Sequence, residues 1–278
     1  MAESNENVPA QKLPLENRVA IVTGSSRGIG KAIALHLASL GAKLIINYSS
    51  SNSTTLADDV VSQINSNKSM NNSAVSAVAV AVKADISDPD SVKSLFDAAE
   101  SAFQSPVNIL VNSAAVCDEK HPTIMNTDLN DFDLTFSVNT RGSFLCCKEA
   151  ANRMIKRRGG GRIICVTSSA TASFRAGNGA QGRGAYTASK AAVEAMVKIL
   201  AKELKGTGIT ANCVAPGPIA TDMFFNGATE EKVKKVIDEC PHGRLGQSED
   251  VAPVVGFLAG DASEWVNGQI IRVNGGYI

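Results

Sequence analysis

The sequence predicts a single doubly wound α/β domain, a Rossmann-type seven-stranded parallel sheet with helices on both faces. Three observations predict it. Short apolar runs alternate along the chain with helical stretches of ten or more residues, the mark of repeated βαβ units. The runs are continuously apolar rather than alternating, as strands covered on both faces require. No linker divides the 278 residues, so one core accounts for the chain.

The elements follow in order. Residues 1–16 are polar and proline-bearing and read as a flexible lead-in to a domain over 17–278. The run Val-Ala-Ile-Val-Thr at 19–23 makes the first strand. It breaks at Gly24 and opens into a helix through 31–40, which Gly41 stops. A second strand is expected over 43–47 and a helix over 55–64. The Ser/Asn-rich tract 62–76 reads as a surface loop. Further strands are expected over 77–82, 107–111, 162–166, 210–214 and 269–273. Between them the pattern predicts helices over 90–103, 129–157, 185–204, 230–239 and 250–258.

Composition narrows the function. Lys+Arg and Asp+Glu are both 27, so no basic excess exists to attract nucleic acid or an anionic membrane. A neutral chain also lacks charge repulsion against self-association. The six cysteines show no CxxC or Cys/His spacing and read as thiols in a reducing compartment. His36, His121 and His242 lie too far apart to suggest a metal site. The first residues carry neither an apolar signal core nor an Arg-rich transit pattern, and no apolar run is long enough for a membrane span. The expected location is therefore cytoplasmic and the expected partner a small molecule.

The first strand ends in Thr23-Gly24-Ser25-Ser26-Arg27-Gly28-Ile29-Gly30 and enters a helix directly. Phosphate needs close backbone approach, which glycine permits, and free N–H groups, which a helix start supplies. Gly24 allows the tight turn, Gly28 the close approach and Gly30 the packing of helix on strand; Ser26, Arg27 and Ile29 complete the turn. The second strand ends Asn47-Tyr48-Ser49 without the carboxylate that would accept bonds from a ribose 2′-hydroxyl. A 2′-phosphate wants cations and hydroxyls, which Arg27 and Ser49 provide. NADP(H) is the expected cofactor. Further on, Tyr186 and Lys190 stand at i and i+4 on one helix, so a phenol and an ammonium share a face. A nearby cation is expected to lower the phenol's pKa and ready it for proton transfer.

The Gly-x3-Gly-x-Gly spacing with Tyr-x3-Lys resembles the short-chain dehydrogenase/reductase family. The resemblance runs from about Leu15 to Ile278, and TGSSRGIG, NYSSS, FSVNTRG, TANCVAPGPIAT and IIRVNGG resemble plant NADPH-dependent aldehyde reductase-like members. It implies adenine contact at Asp85 and Ile86 and a cofactor contact at Asn112. At the latter motif Ala115 departs from the family glycine. The resemblance also implies that Ser168, with Ser169 second, holds the substrate oxygen and that Asn139 supports a proton relay to Lys190. Pro216, Gly217, Ile219 and Thr221 would wrap the nicotinamide, and a substrate cap would follow at about 222–245, where Met223, Phe224 and Phe225 suggest an apolar pocket. Glu230 to Lys235 read as a solvated helix face that belongs to that cap. A homo-oligomer, tetramer or dimer, is implied as well.

The implied activity is NADPH-dependent reduction of an aldehyde, ketone or quinone-like carbonyl. The alternatives are an alcohol-oxidising or non-redox member, or a catalytically silent NADP-binding protein. Ser168 and Tyr186 stand farther apart than the family's usual spacing. The glycine-rich surplus at 173–184 is expected to form a mobile lip beside the substrate.

Overall fold

A computed structural model describes residues 12–66, 79–173 and 183–278. Seven strands, β1 (Val19–Thr23), β2 (Lys43–Tyr48), β3 (Ala79–Lys83), β4 (Val107–Asn112), β5 (Gly161–Val166), β6 (Ile209–Pro216) and β7 (Ile270–Val273), form one sheet in the order β3-β2-β1-β4-β5-β6-β7. Every pairing is parallel. The chain winds outward from β1 to β3, returns to β4 and winds the other way. The order therefore reverses between β1 and β4, and a doubly wound sheet binds its ligand at the carboxyl end of that switch point.

The continuous apolar runs have the expected cause. In β1, Ala20 and Val22 enter one core and Val19 and Ile21 the other. On the first face lie α1 (Gly28–Ser39), α2 (Thr54–Ser66) and α10 (Ser248–Ala259). On the second lie α3 (Pro89–Phe103), α5 (Ser143–Arg157) and α7 (Gly184–Glu203). The remaining helices are α4 (Leu129–Phe136), the short α6 (Ala170–Ser173) and α8 (Asp222–Phe225), and α9 (Glu230–Glu239). α1 and α3 show how local sequence sets the ends. Asp88 caps α3 by accepting the Ser91 N–H at 2.8 Å, with Pro89 in the first turn. α1 has no side-chain cap and no acid in its first turn.

Three expectations change. The helix expected over 129–157 is α4 and α5 joined by a π-helical turn, Ser137–Gly142. Its apolar pattern hid the widened turn, where Ser143 Oγ donates to the Asn139 carbonyl at 2.7 Å. A Cβ at Gly142 would come within 2.8 Å of the Ile86 side chain, so glycine lets the loop after β3 pack closely there. The domain also begins earlier than residue 17, because Leu15 is fully buried and its N–H bonds to the Leu40 carbonyl at 2.9 Å. Residues 62–66 close α2 rather than opening a loop. The rest of that tract, the first residues of the lead-in and of the third expected strand, and 174–182 of the expected lip lie outside the described residues.

Candidate active site

One cleft of about 1760 Å³ opens at the carboxyl ends of the strands, and every predicted site residue except Asn112 and Asn139 lines it. Its floor is the turn after β1. Gly24 and Gly28 have φ of +62° and +56°, the left-handed region that favours glycine. A Cβ on Gly24 would sit 2.7 Å from Ala114 Cα, and one on Gly30 would strike the Gly24 carbonyl. Beyond the turn, the uncapped start of α1 presents N–H groups without an internal acceptor. Space, donors and dipole all fit a pyrophosphate, so the residues present suit a dinucleotide.

Several buried polar groups hold that floor in shape. Thr23 Oγ1 accepts the N–H groups of Ser113 and Ala114, both at 3.1 Å, which ties β1 to the loop after β4. Asn47, predicted as a cofactor contact, is 2% exposed and spends its amide internally. Its Oδ1 accepts from Gly24 N–H at 3.3 Å and its Nδ2 donates to Ala84 O at 3.0 Å, so it positions the turn. Asn112 differs from the expectation in that it does not line the cleft: it is buried, its Nδ2 donates toward Ser143 O at 3.4 Å, and its Oδ1 is buried without a partner. Ala115 lines the cleft without a positive φ, and the backbone there does not demand the missing glycine.

On the adenosine side, Arg27, Tyr48, Ser49, Asp85 and Ile86 border the cleft. Arg27 is largely exposed, with its guanidinium 4.0 Å from Asp222. No carboxylate stands at the end of β2, and the Asp85 Oδ1 is engaged by Ser87 N–H at 2.9 Å. The donor set suits an extra phosphate. Toward the other end, Pro216, Gly217, Ile219 and Thr221 form the wall, and Thr221 Cγ2 packs against Gly28 at 3.6 Å from a would-be Cβ.

The chemistry-bearing groups meet at the centre. Lys190 is 3% exposed and donates to the Val166 carbonyl at 2.8 Å, and its ammonium lies 5.8 Å from the Tyr186 ring centre. Burial pulls its pKa down to about 8. Burial raises the Tyr186 phenol to about 12, against the smaller opposing pulls of Arg183 and a hydrogen bond from Ser168. The expectation that a cation would lower this phenol is thus reversed: desolvation outweighs charge, and the tyrosine is a proton holder across the neutral range. Ser168 and Ser169 both line the cleft but differ in what their hydroxyls do: Ser169 is buried and donates to Ala215 O at 3.0 Å, whereas Ser168 bonds to Tyr186.

Asn139 is fully buried in the π-helical turn. Its Oδ1 accepts Val116 N–H at 2.8 Å, while its Nδ2 donates to Val116 O at 2.9 Å and Ser189 Oγ at 3.0 Å. It joins the loop after β4 to α7 one residue from Lys190, and it does not touch the lysine in this state.

The cap segment contributes Met223, Phe224, Asn226 and Lys232 to the cleft. Phe225 instead turns outward and is half-exposed, packing edge-on to Phe224. Lys232 corrects the reading of α9 as a solvated face: its Nζ reaches to 3.5 Å from His121 Nδ1, and Arg183 lies 3.4 Å from Nε2. Nothing in linear spacing signals this cluster. Among the described residues no group of three or more His, Cys, Asp or Glu could hold a metal. No helix there is long and apolar enough to cross a membrane.

Comparison with known proteins agrees with this geometry. A family model described as enoyl-(acyl carrier protein) reductase matches residues 24–278. The NADPH-dependent aldehyde reductase-like protein, chloroplastic, of Arabidopsis thaliana is 61% identical over 99% of both chains. The NADPH-dependent aldehyde reductase 2, chloroplastic, of the same plant is 56% identical over 97% of both. A short-chain type dehydrogenase/reductase of Picea abies is 53% identical over 95% of this chain and 93% of its own. The chloroplastic names of two such relatives overturn the expectation of a cytoplasmic location. Unpaired thiols separate reducing from oxidising compartments and do not tell one reducing compartment from another.

Proposed function

The chain belongs to the short-chain dehydrogenase/reductase family, and from that premise we propose that it reduces an aldehyde, ketone or quinone-like carbonyl through Ser168, Tyr186 and Lys190. It is an NADP(H)-dependent oxidoreductase, as its relatives' names state of themselves. The residues that would hold the cofactor are the turn Gly24–Gly30, Arg27 and Ser49 at the adenosine end, Asp85 and Ile86 beside them, and Pro216, Gly217, Ile219 and Thr221 at the nicotinamide end. Bound there, NADPH supplies a hydride. The protein does the rest. Ser168 orients the substrate oxygen, Tyr186 gives that oxygen a proton, and Lys190 anchors the helix that carries the phenol.

The observation that carries this reading is the phenol itself. The Tyr186 phenol keeps its proton at neutral pH, next to Ser168 and in the same cleft as the glycine turn and Lys190, so a proton donor stands where a carbonyl oxygen would be held. That arrangement disfavours a silent binding protein, since each group the chemistry uses faces the cleft. Following NADPH consumption across a panel of aldehydes, ketones and quinones tests the reading. Consumption with one class supports it; a protein that binds NADPH and consumes it with none overturns it.

The same reading carries two further proposals. A plastid location follows from the chloroplastic relatives. A homo-oligomer is supported by exposed Leu129, Leu134 and Phe144 along α4 and α5 and by Trp265, which is 98% exposed. Light scattering that shows a 29.0 kDa particle at micromolar concentration would contradict it.

A further inference from the structure

In the cleft that the cofactor turn also lines, two cations converge on one imidazole, which can accept from only one of them. Arg183, at the start of α7, lies 3.4 Å from His121 Nε2, and Lys232, on α9, lies 3.5 Å from Nδ1. A neutral imidazole has one N–H and one lone pair. Whichever tautomer is present, one ring nitrogen presents a hydrogen to a cation. Charging the ring makes the clash worse: burial first, and then the two cations, push its pKa down to about 4 against the smaller opposing pull of Asp118. Neither Arg183 nor Lys232 has a carboxylate partner among the described residues. Of the nearby acids, Asp118 Oδ1 accepts Lys120 N–H at 2.9 Å while its Oδ2 is buried without a hydrogen-bond partner and outside the lining of the main cleft, and Glu119 Oε1 accepts from Asn226 at 2.9 Å. His121 is also held at φ +47°, a conformation a histidine rarely adopts. Two cations that meet an imidazole rather than a carboxylate, in a cleft, have donors to spare for an anionic ligand.

The cluster sits on the substrate side. His121, Arg183 and Lys232 line the same cleft as Ser168 and Tyr186, and both cations act electrostatically on Cys117, as Lys190 does. Arg27 and the glycine turn serve the cofactor phosphates, so this second positive group is spare.

We propose that Arg183, His121 and Lys232 form a subsite for a carboxylate at the far end of the carbonyl substrate, so that the preferred substrates are oxo- or formyl-carboxylates. The inference rests on the carbonyl-reductase reading and names its substrate class. Arg183 offers a planar fork matched to a carboxylate, and Lys232 adds a point charge from the cap segment. The anion accepts from both cations and from the His121 N–H, which removes the donor clash. The apolar Met223 and Phe224 then cover the carbon chain between the two ends.

The test compares 5-oxopentanoate with its methyl ester and with pentanal, using the full chain and NADPH. The acid is expected to exceed the ester in kcat/KM on the order of 10-fold or more. Lys232→Met and Arg183→Gln should each shrink that ratio, and Lys232→Arg should restore it. Glutarate should compete with pentanal. A ratio near one, or a ratio that neither variant changes, overturns the proposal. A phosphorylated hydroxyaldehyde favoured over the acid also overturns it, in favour of a phosphate site. Should no carbonyl be reduced, the reductase reading fails by itself, and calorimetry with glutarate on the NADPH-bound protein decides the subsite. Binding that Lys232→Met abolishes sustains it, and absence of binding refutes it.

Discussion

The ammonium of Lys190 is held 2.8 Å from the carbonyl oxygen of Val166, the last residue of β5. One hydrogen bond thus couples the helix that carries Tyr186 to the strand end that carries Ser168. The bond also explains why a charged group survives at 3% exposure: the carbonyl replaces part of its lost water. Replacement is incomplete, and the pKa falls accordingly.

A pH dependence follows. With Lys190 near 8, reductive kcat/KM should be level below about pH 8 and fall above it as the ammonium is lost. Alcohol oxidation should instead climb with pH, because the phenolate forms only toward 12. Rate profiles in both directions check this. Stability moves too. Lys190 titrates in the fold below its ordinary 10.5, so the unfolded chain binds more protons between about 8 and 10.5. The cost of burying the lysine is therefore full below pH 8 and fades as pH rises. Lys190→Met should gain most in Tm below pH 8 and lose that gain by pH 10.5.

Ser168→Ala and Ser169→Ala should fail differently. The first removes a hydroxyl facing the cleft, and turnover should fall on the order of 10²-fold with little change in Tm. The second strips the Ala215 carbonyl of its buried donor and should cost about 1 kcal/mol of stability with turnover largely kept. Paired kinetics and denaturant melts check both. Loss of turnover only in Ser169→Ala would exchange the roles.

Asn139→Ala removes both bonds to Val116 and leaves the Val116 N–H and carbonyl without those partners in a partly buried loop. A loss of about 2–4 kcal/mol is expected in chemical denaturation. Full activity with unchanged stability would show that the amide neither braces the loop nor supports the site.

Arg27→Ala should raise the KM for NADPH on the order of 10-fold, about 1.4 kcal/mol, and leave NADH nearly unaffected. The figure sits at the low end for a charge-assisted contact, because the guanidinium is 66% exposed. Steady-state kinetics with both cofactors checks it.

Most of the sheet was legible in sequence because a buried parallel strand is a short continuous apolar run, and the first strand is observed over the expected residues. The glycine turn and the missing acid after β2 were legible for the same reason: each is local chemistry. What escaped was long-range or hidden by periodicity. The π-helical turn keeps the apolar stripe on both sides, so 129–157 reads as one helix. Asn47 and Asn112 look like ligand contacts in sequence, whereas the fold buries both and turns Asn47 Nδ2 to Ala84 O and Asn112 Nδ2 toward Ser143 O. His121 lies 62 residues from Arg183 and 111 from Lys232, and no spacing rule joins them. The Tyr186 pKa was misjudged because a neighbour in sequence announces its charge, whereas burial is announced only by the fold.

Single-turnover mixing of Tyr186→Phe, preloaded with NADPH, against an aldehyde the wild type reduces tests the central claim most directly. The variant loses one oxygen and should bind NADPH as tightly as wild type, read by cofactor fluorescence, while its reduction rate falls on the order of 10²-fold or more. Undiminished reduction in the folded, NADPH-bound variant would contradict the assignment of Tyr186 as the proton donor and with it the mechanism proposed for the cleft.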